Sequence, residues 1–292
     1  MPPSGASQAS LGAPGATPGA RPQPSINLLA YGGHAFDEAL DHAARVHAPV
    51  SVHRLMMEQL GWDAAVRALR RSSARVSYVM HSAVFALDQP TAWAEQGDSF
   101  RRTLAAAVEL RAGQVCMTSG PAGALGWEQA AGRLAEAIAP LLDEARRLGV
   151  DVVMEPTGQL RQDIGFVHSL RDAVALARHA GLGVCVDTYW CFRERGLTET
   201  MHDGRDLIRL VQISDNPPGK AGHGDRMVPG DGIADLARLV RALRDLGYRG
   251  YIDLEILGPR IEAEGPAAAV DRGLRYVAVL LDDADATRGT QQ

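Results

Sequence analysis

The 292-residue chain is predicted to fold as one closed (β/α)₈ barrel. Eight short apolar runs, rich in β-branched residues, alternate with segments of helical period along the chain. Runs that are apolar on both faces are typical of parallel strands covered by helices. The chain is also 46% hydrophobic, which allows one large core rather than two small ones. Together these observations predict a single α/β domain.

The expected strands are bounded by glycine or polar residues and come at regular intervals. They are Ile26–Ala30, Val50–His53, Arg75–His81, Gln114–Thr118, Val150–Met154, Leu182–Val186, Ile208–Val211 and Tyr251–Leu254. The segments between them carry apolar residues three or four positions apart, as one buried helix face requires. These helices are a stripe from Phe36 to Val46, then Trp62–Arg71, Phe100–Leu110, Trp127–Leu148, Phe166–His179, Leu197–Leu207, Leu236–Leu246 and a closing helix to Leu281.

The two ends of the chain differ in composition from the rest. Residues 1–25 are dominated by Pro, Gly, Ala and Ser, which predicts a disordered tail, and residues 284–292 are expected to fray. The barrel therefore occupies residues 26–283. An open, doubly wound sheet is the rival fold, but residues 30–34 (AYGGH) lack the G-x-G-x-x-G turn that usually follows its first strand.

Four strands in the second half of the chain lead into residues with side-chain oxygen atoms: Glu155, Asp187, Gln212 and Glu255. Parallel strands of a barrel end at one common mouth, so these four side chains should converge. Carboxylates this close repel each other unless a cation lies between them. Because the set contains only oxygen atoms, it favours one hard divalent ion, Mg²⁺ or Mn²⁺.

Composition excludes several classes of protein. The net charge of −5 is spread without blocks, so no nucleic-acid or anionic-membrane surface is expected, and no stretch is long and apolar enough for a signal peptide or membrane span. The odd number of cysteines, three, favours free buried thiols and a reducing, cytoplasmic location. The single lysine, Lys220, is not on an expected strand, which argues against a Schiff-base aldolase.

The motifs around the four oxygen-bearing residues resemble those of the xylose-isomerase-like TIM-barrel superfamily. They are residues 152–156 (VVMEP), 184–189 (VCVDTY), 211–215 (VQISD) and 253–255 (DLE), with 225–226 (DR) and 229–232 (PGDG) before the last. That group includes sugar-phosphate isomerases and epimerases, keto-inositol and 3-dehydroshikimate dehydratases, and endonuclease IV. The resemblance implies that Glu155, Asp187, Gln212 and Glu255 bind one divalent ion, that Glu155 and Glu255 act as acid and base, and that Arg226 contacts substrate oxygens.

The chain departs from the family pattern at two positions. Gln212 stands where the epimerases more often have His, and some dehydratases of the group are similar in this respect. The frequent Asp-x-x-His appears as residues 187–190 (DTYW), so Trp190 is expected to form an apolar or stacking wall at the substrate. His53 and His81 end the second and third strands and are expected to face the mouth as substrate-binding or proton-carrying residues.

Such a site suits proton abstraction next to a carbonyl, through a metal-stabilised enediolate. The favoured function is a metal-dependent isomerase or epimerase that acts on a ketose, a sugar derivative or a cyclitol. A dehydratase acting on a related keto-substrate is the alternative, because the same intermediate can lose a β-hydroxyl. DNA repair like that of endonuclease IV is disfavoured by the absence of His ligands, and a non-catalytic sugar-binding barrel stays open. The sequence leaves the oligomeric state open, a homo-oligomer included.

Overall fold

The computed structural model describes residues 21–219 and 224–289, and within them eight parallel strands form a closed barrel. Each strand pairs with the next, and the last pairs with the first. The strands are β1 (Gln23–Asn27), β2 (Val50–His53), β3 (Val76–His81), β4 (Gln114–Thr118), β5 (Asp151–Glu155), β6 (Gly183–Asp187), β7 (Ile208–Ile213) and β8 (Tyr251–Leu254). The predicted (β/α)₈ barrel is confirmed.

Helices follow the strands and cover the outside of the barrel. They are α1 (Phe36–Arg45), α2 (Arg54–Leu60), α3 (Trp62–Arg71), α4 (Trp93–Glu109), α5 (Trp127–Leu148), α6 (Leu170–Ala180), α7 (Thr188–Cys191), α8 (Leu197–Asp203), α9 (Leu236–Asp245), α10 (Pro259–Glu264) and α11 (Pro266–Gly289). Two short 3₁₀ helices, Leu28–His34 and Pro90–Ala92, precede α1 and α4. No helix among the described residues is long and apolar enough to cross a membrane.

The first strand begins earlier than predicted. Residues 23–26 pair with residues 251–254 of β8, so residues 23–25, which were assigned to the tail, belong to the barrel. The strand ends at Asn27 because its side chain accepts a hydrogen bond from the backbone N–H of Leu29 and caps the 3₁₀ helix. The rest of the predicted tail, residues 1–20, lies outside the described residues.

Three helices begin or end at other residues than predicted, because of a capping side chain, a glycine or a continuous stretch of helix-forming residues. Helix α6 begins at Leu170 rather than at Phe166, because the Ser169 hydroxyl accepts from the backbone N–H of Asp172. Helix α8 stops before Gly204. At the other end of the chain, α11 continues to Gly289, past the predicted end at Leu281, since residues 274–288 contain neither Gly nor Pro. Residues 290–292 lie outside the described residues, and the fraying expected from residue 284 remains a prediction.

The side chains that point into the barrel form two sides of different polarity. One side is apolar and contains two of the three free, buried cysteines; its cluster is Tyr78, Met80, Cys116, Val153, Cys185, Leu210 and Tyr251. The other side, formed by β8, β1 and β2, is polar and carries Ser25, Asn27, Ser51 and Asp253. The larger apolar core lies between the barrel and the helices. The interior polar side and the mouth above it are where the candidate site lies.

Candidate metal and catalytic site

The structure brings three of the predicted carboxylates together at the carboxyl ends of the strands. Glu155 ends β5, Asp187 ends β6, and Glu255 directly follows β8. One carboxylate oxygen from each lies within 4.8 Å of the others, and all three side chains are buried. Among the described residues, this group is the one whose ligand atoms are close enough to hold a metal ion together.

Burial and mutual repulsion perturb both glutamates. Burial, and then the charge of Asp187, raise the pKa of Glu155 to about 8, although Arg226 and hydrogen bonds from Gln212 and Trp190 lower it in part. Burial also raises the pKa of Glu255 well above its usual value; Arg226 opposes the rise and Glu155 adds to it. The Oε2 atom of each glutamate is buried and has no hydrogen-bond partner. Two buried oxygen atoms are thus available to a ligand, a cation or a proton.

The guanidinium of Arg226 lies inside this carboxylate cluster. It donates two hydrogen bonds to Asp187, of 3.1 and 2.8 Å, and lies 3.5 Å from Glu255 Oε2. Its face packs against the rings of Tyr189 and Trp190, 4.6 and 5.5 Å from their centroids. Three carboxylates against one guanidinium leave up to two negative charges uncompensated, which a divalent cation would neutralise. The sequence predicted that Arg226 contacts substrate, but did not reveal its pairing with Asp187.

The loop after β7 holds Arg226 in place through its backbone. Arg226 bridges Leu257 after β8, and the next residue, Met227, bridges Asp215 after β7. The Asp215 carboxylate accepts hydrogen bonds from three backbone N–H groups of the same loop, those of Asn216, Gly230 and Ala234. Asp215 therefore orients this loop. Lys220 lies outside the described residues.

Gln212 lies on β7 beside the cluster. Its Oε1 accepts from Cys185 Sγ at 3.1 Å and its Nε2 donates to the Tyr78 hydroxyl at 3.1 Å. The side chain is buried. Its part in metal binding remains a prediction.

Trp190 occupies the position where the family pattern has histidine. Its side chain hydrogen-bonds to Glu155, and its ring packs on the backbone of Gly158. A methyl group at Gly158 would lie 2.3 Å from Cζ3 of the indole, far inside van der Waals contact. Trp190 thus lies against Glu155 and Arg226, and the absence of a side chain at Gly158 leaves space for its ring.

Gly158→Ala is expected to displace the indole, because an aromatic ring cannot bend away from the new methyl group. We expect a changed tryptophan emission spectrum and a loss of turnover of about 10-fold or more, since small misplacements of catalytic groups are costly. Gly132→Ala is the matched control: it meets no atom within 4 Å in α5 and should raise stability by about 0.5–1 kcal/mol. A Gly158→Ala protein with unchanged emission and turnover would contradict the assignment.

The two histidines have different surroundings. His53 accepts from the backbone N–H of Leu55 through Nδ1, so its Nε2 carries the proton toward Ser82 Oγ, 2.9 Å away. Burial lowers the pKa of His53 to about 4. His53 lies two residues after Ser51, whose side chain points into the barrel, so His53 belongs to the same inner face.

The prediction that His81 faces the mouth is wrong. Its Nδ1 lies 2.6 Å from Thr103 Oγ1 and its ring packs against Phe100, both on α4. The cause is the two-residue period of a strand: Met80 points into the barrel, so His81 points out. Burial lowers its pKa to about 3, as expected for a neutral histidine in a core.

One buried carboxylate escaped the sequence analysis. Asp253 lies inside the barrel, two residues before Glu255, and is fully buried. Burial raises its pKa, and hydrogen bonds from surrounding side chains lower it in part. A charged residue between apolar neighbours at the same parity as Glu255 was the available signal, since both must point to the same face of β8.

A closed (β/α)₈ barrel with buried carboxylates at the carboxyl ends of its strands places the chain in the class of barrels whose functional site lies at that face. Residues 30–279 match the family described as xylose isomerase-like TIM barrel. The chain belongs to this family, and the resemblance stated from its motifs is confirmed.

The chain is also similar to individual members of known sequence or structure. A 3-dehydro-D-guloside 4-epimerase of Escherichia coli strain K12 is 31% identical over 137 residues, which cover 46% of this chain and 47% of that enzyme. The matched segment thus spans about half the length of this curated relative. A crystal structure of a Sinorhizobium meliloti 1021 protein has a TM-score of 0.78 at 24% identity and covers 86% of this chain and 96% of its own. The IOLI protein, determined with a zinc atom, has a TM-score of 0.75 at 15% identity over 90% and 99%. The last two likenesses show the fold.

Proposed function

We propose that the protein is a divalent-metal-dependent sugar epimerase or isomerase that transfers a proton at a carbon next to a carbonyl. The observation that carries the proposal is the pair Glu155 and Glu255, two buried glutamates in one cluster that have raised pKa values and whose Oε2 atoms accept no hydrogen bond. The similarity to a 3-dehydro-D-guloside 4-epimerase supports a small sugar or keto-sugar as substrate, with a cyclitol as a related case.

The residues that would hold the cation are Glu155, Asp187 and Glu255, with the Gln212 amide as a fourth oxygen donor. The donor set fits a hard ion because it consists of oxygen atoms. One divalent ion would also balance the negative charge that the three carboxylates carry in excess of the single positive charge of Arg226. A bound Mn²⁺ or Mg²⁺ would act as a Lewis acid at the substrate carbonyl. Zn²⁺ is included in the tests below, because the IOLI structure of the same fold carries it.

The two glutamates divide the proton transfer between them. In the proposed reaction one glutamate accepts the proton that the substrate carbon loses, and the other, in its protonated form, supplies the proton that replaces it. The ionised glutamate removes the proton next to the carbonyl and produces an enediolate. The protonated glutamate returns a proton on the opposite face, which gives an epimer, or at the neighbouring carbon, which gives an isomer.

Three further residues would position the substrate. Arg226 presents its guanidinium next to both Asp187 and Glu255 and can bind a substrate hydroxyl or carbonyl oxygen. His53 offers an Nε2–H donor on the inner face, and Trp190 forms the wall beside Glu155. The acidic surroundings do not suit a nucleic acid. The cytoplasmic location and the homo-oligomeric state remain predictions.

Incubation with a panel of ketoses and keto-sugars in D₂O, with Mn²⁺, Mg²⁺ or Zn²⁺, tests the reaction. We expect one solvent deuterium at the carbon next to the carbonyl and an unchanged carbon skeleton, detected by NMR and mass spectrometry. Loss of water with a new conjugated absorbance would replace the proposal by a dehydratase acting on the same type of substrate. Neither exchange nor elimination with any metal would favour a sugar-binding barrel.

A further inference from the structure

Beneath the carboxylate cluster, Asp253 accepts hydrogen bonds from four side chains. Ser25 Oγ lies 2.5 Å from its Oδ1, while Asn27 Nδ2, Ser51 Oγ and the Tyr78 hydroxyl lie 3.0, 2.9 and 2.7 Å from its Oδ2. These donors come from β1, β2 and β3, so one carboxylate of β8 joins the first three strands of the barrel. The interior of such barrels is usually filled with bulky apolar side chains, which makes this polar group unusual.

A backbone group determines the direction of these hydrogen bonds. The Leu29 N–H, which can only donate, lies 3.1 Å from Asn27 Oδ1, so the amide of Asn27 must turn its Nδ2 toward Asp253. Asp253 Oδ2 is therefore an acceptor. The Tyr78 hydroxyl has one proton, and at 2.7 Å it donates that proton to the same oxygen.

The orientation of Gln212 follows from that of Tyr78. Having donated its proton to Asp253, the Tyr78 oxygen can only accept, so the Gln212 atom 3.1 Å from it is the Nε2 donor. The amide carbonyl then points to the β6 side, where Cys185 Sγ donates to Oε1 at 3.1 Å. A flipped amide would place two acceptors, Oε1 and the Tyr78 oxygen, against each other in a buried site.

We propose that Asp253 and Tyr78 are positioning residues that hold the Gln212 carbonyl oxygen on the side of Asp187, as the fourth oxygen donor to the cation. Gln212 pairs with Asp187 at the ends of β7 and β6, so the carbonyl lies on the Asp187 side of the amide, while Nε2 faces Tyr78 and Glu155. The inference rests on the proposed metal site and adds to it a reason why glutamine can stand where the family pattern more often has histidine. The Gln212 amide has an oxygen end and a nitrogen end. The hydrogen bonds that connect Asp253 to the amide through Tyr78 hold the nitrogen end and leave the oxygen end for a metal.

Tyr78→Phe and Ser51→Ala form a matched pair that tests the proposal. Each removes one donor from Asp253 Oδ2, but only Tyr78 contacts Gln212. In calorimetric titrations of the full chain with Mn²⁺, Tyr78→Phe is expected to weaken binding about 10-fold or more, as loss of an outer hydrogen bond to a ligand typically does. Ser51→Ala should change it less than about 2-fold. Equal effects of the two changes would mean that the network is purely structural and would overturn the inference.

A double-mutant cycle with Gln212→His separates orientation from general damage. An imidazole nitrogen at this position does not depend on the Tyr78 oxygen to select one of two amide ends. Tyr78→Phe should therefore weaken Mn²⁺ binding clearly less in the Gln212→His background than in the wild type. The same loss in both backgrounds would contradict the positioning role.

A crystal structure of the wild-type Mn²⁺ complex decides the case even if Tyr78→Phe does not fold. One end of the Gln212 amide is expected about 2.0–2.4 Å from the ion, with the other end in contact with Tyr78. An ion that does not contact Gln212, while bound to the three carboxylates, would overturn this inference and leave the proposed function intact. A wild-type protein that binds no divalent ion would overturn both.

Discussion

Glu255→Gln is expected to lower turnover by at least about 10²-fold while the barrel stays folded. The substitution keeps the size and hydrogen-bonding capacity of the side chain but removes a group that can accept or return a proton, and general acid–base catalysis typically contributes 10²–10⁴-fold. Glu255 is buried beside Glu155 and Asp187. Among the described residues, these two are the only other carboxylates in the cluster, so no further carboxylate is at hand to take over its role. Deuterium exchange into the substrate is expected to fall by the same factor.

Glu262→Gln is the matched control for this variant. Glu262 is exposed on α10, in the segment after Glu255, and the same chemical change there should leave turnover within about 2-fold. Circular dichroism and thermal unfolding establish that both variants fold. A Glu255→Gln enzyme with near wild-type turnover would remove Glu255 from the mechanism.

The metal-free protein is expected to lose stability as the pH rises from about 4.5 to 8. Glu155 has a folded-state pKa of about 8 against 4.5 in the unfolded chain, so between these values the folded protein holds a proton that the unfolded chain has released. The free energy of unfolding then falls with pH, by at most about 1.4 kcal/mol per unit for one group. Above about pH 8 the folded state also ionises and this dependence ends. The raised pKa of Glu255 acts in the same direction.

A divalent cation should reverse this loss. At a concentration about 100 times its Kd, Mn²⁺ is expected to add about 2.7 kcal/mol, which corresponds to a rise in Tm of about 4–5 °C at pH 8.5 for a chain of this size. The rise should be much smaller at pH 5, where protons compete for the same oxygen atoms.

Thermal unfolding of the wild type and of Glu155→Gln, each with EDTA and with Mn²⁺, provides the measurement. Without metal, Glu155→Gln should be more stable than the wild type at pH 8.5 and similar to it at pH 5, because the amide has no proton to release. The difference between the two curves removes contributions from all other titrating groups. A wild-type Tm that does not respond to any divalent ion at pH 8.5 would contradict the metal site.

The sequence alone predicted the order of strands and helices and the level of the site along the barrel. Apolar runs and helical periods are local properties, and parallel strands in a closed barrel must end at one mouth. Glu155, Asp187 and Glu255 could therefore be placed together without coordinates. The motifs around them also indicated the family to which the chain belongs.

Boundaries and faces depended on contacts between distant residues. The start of the first strand could not be located from composition, because residues 23–25 are strand only through their pairing with β8. His81 looked equivalent to His53, yet packing of Met80 inside the barrel turned it toward α4. A shift of one residue along a strand moves a side chain from the inside of the barrel to the outside. For this reason His53 lies on the inner face, whereas His81 lies in the core against α4.

The charge pattern of the site was decided by tertiary structure in the same way. Composition and motifs determined which side chains are present at the mouth, since a strand end and its residue type are both written in the local sequence. They did not determine that Arg226 pairs with Asp187, or that Tyr78 links Asp253 to Gln212, because those contacts join residues far apart in the chain. Hydrogen-bond direction and the pKa of a buried carboxyl depend on all neighbours at once, and only the closed barrel brings these neighbours together.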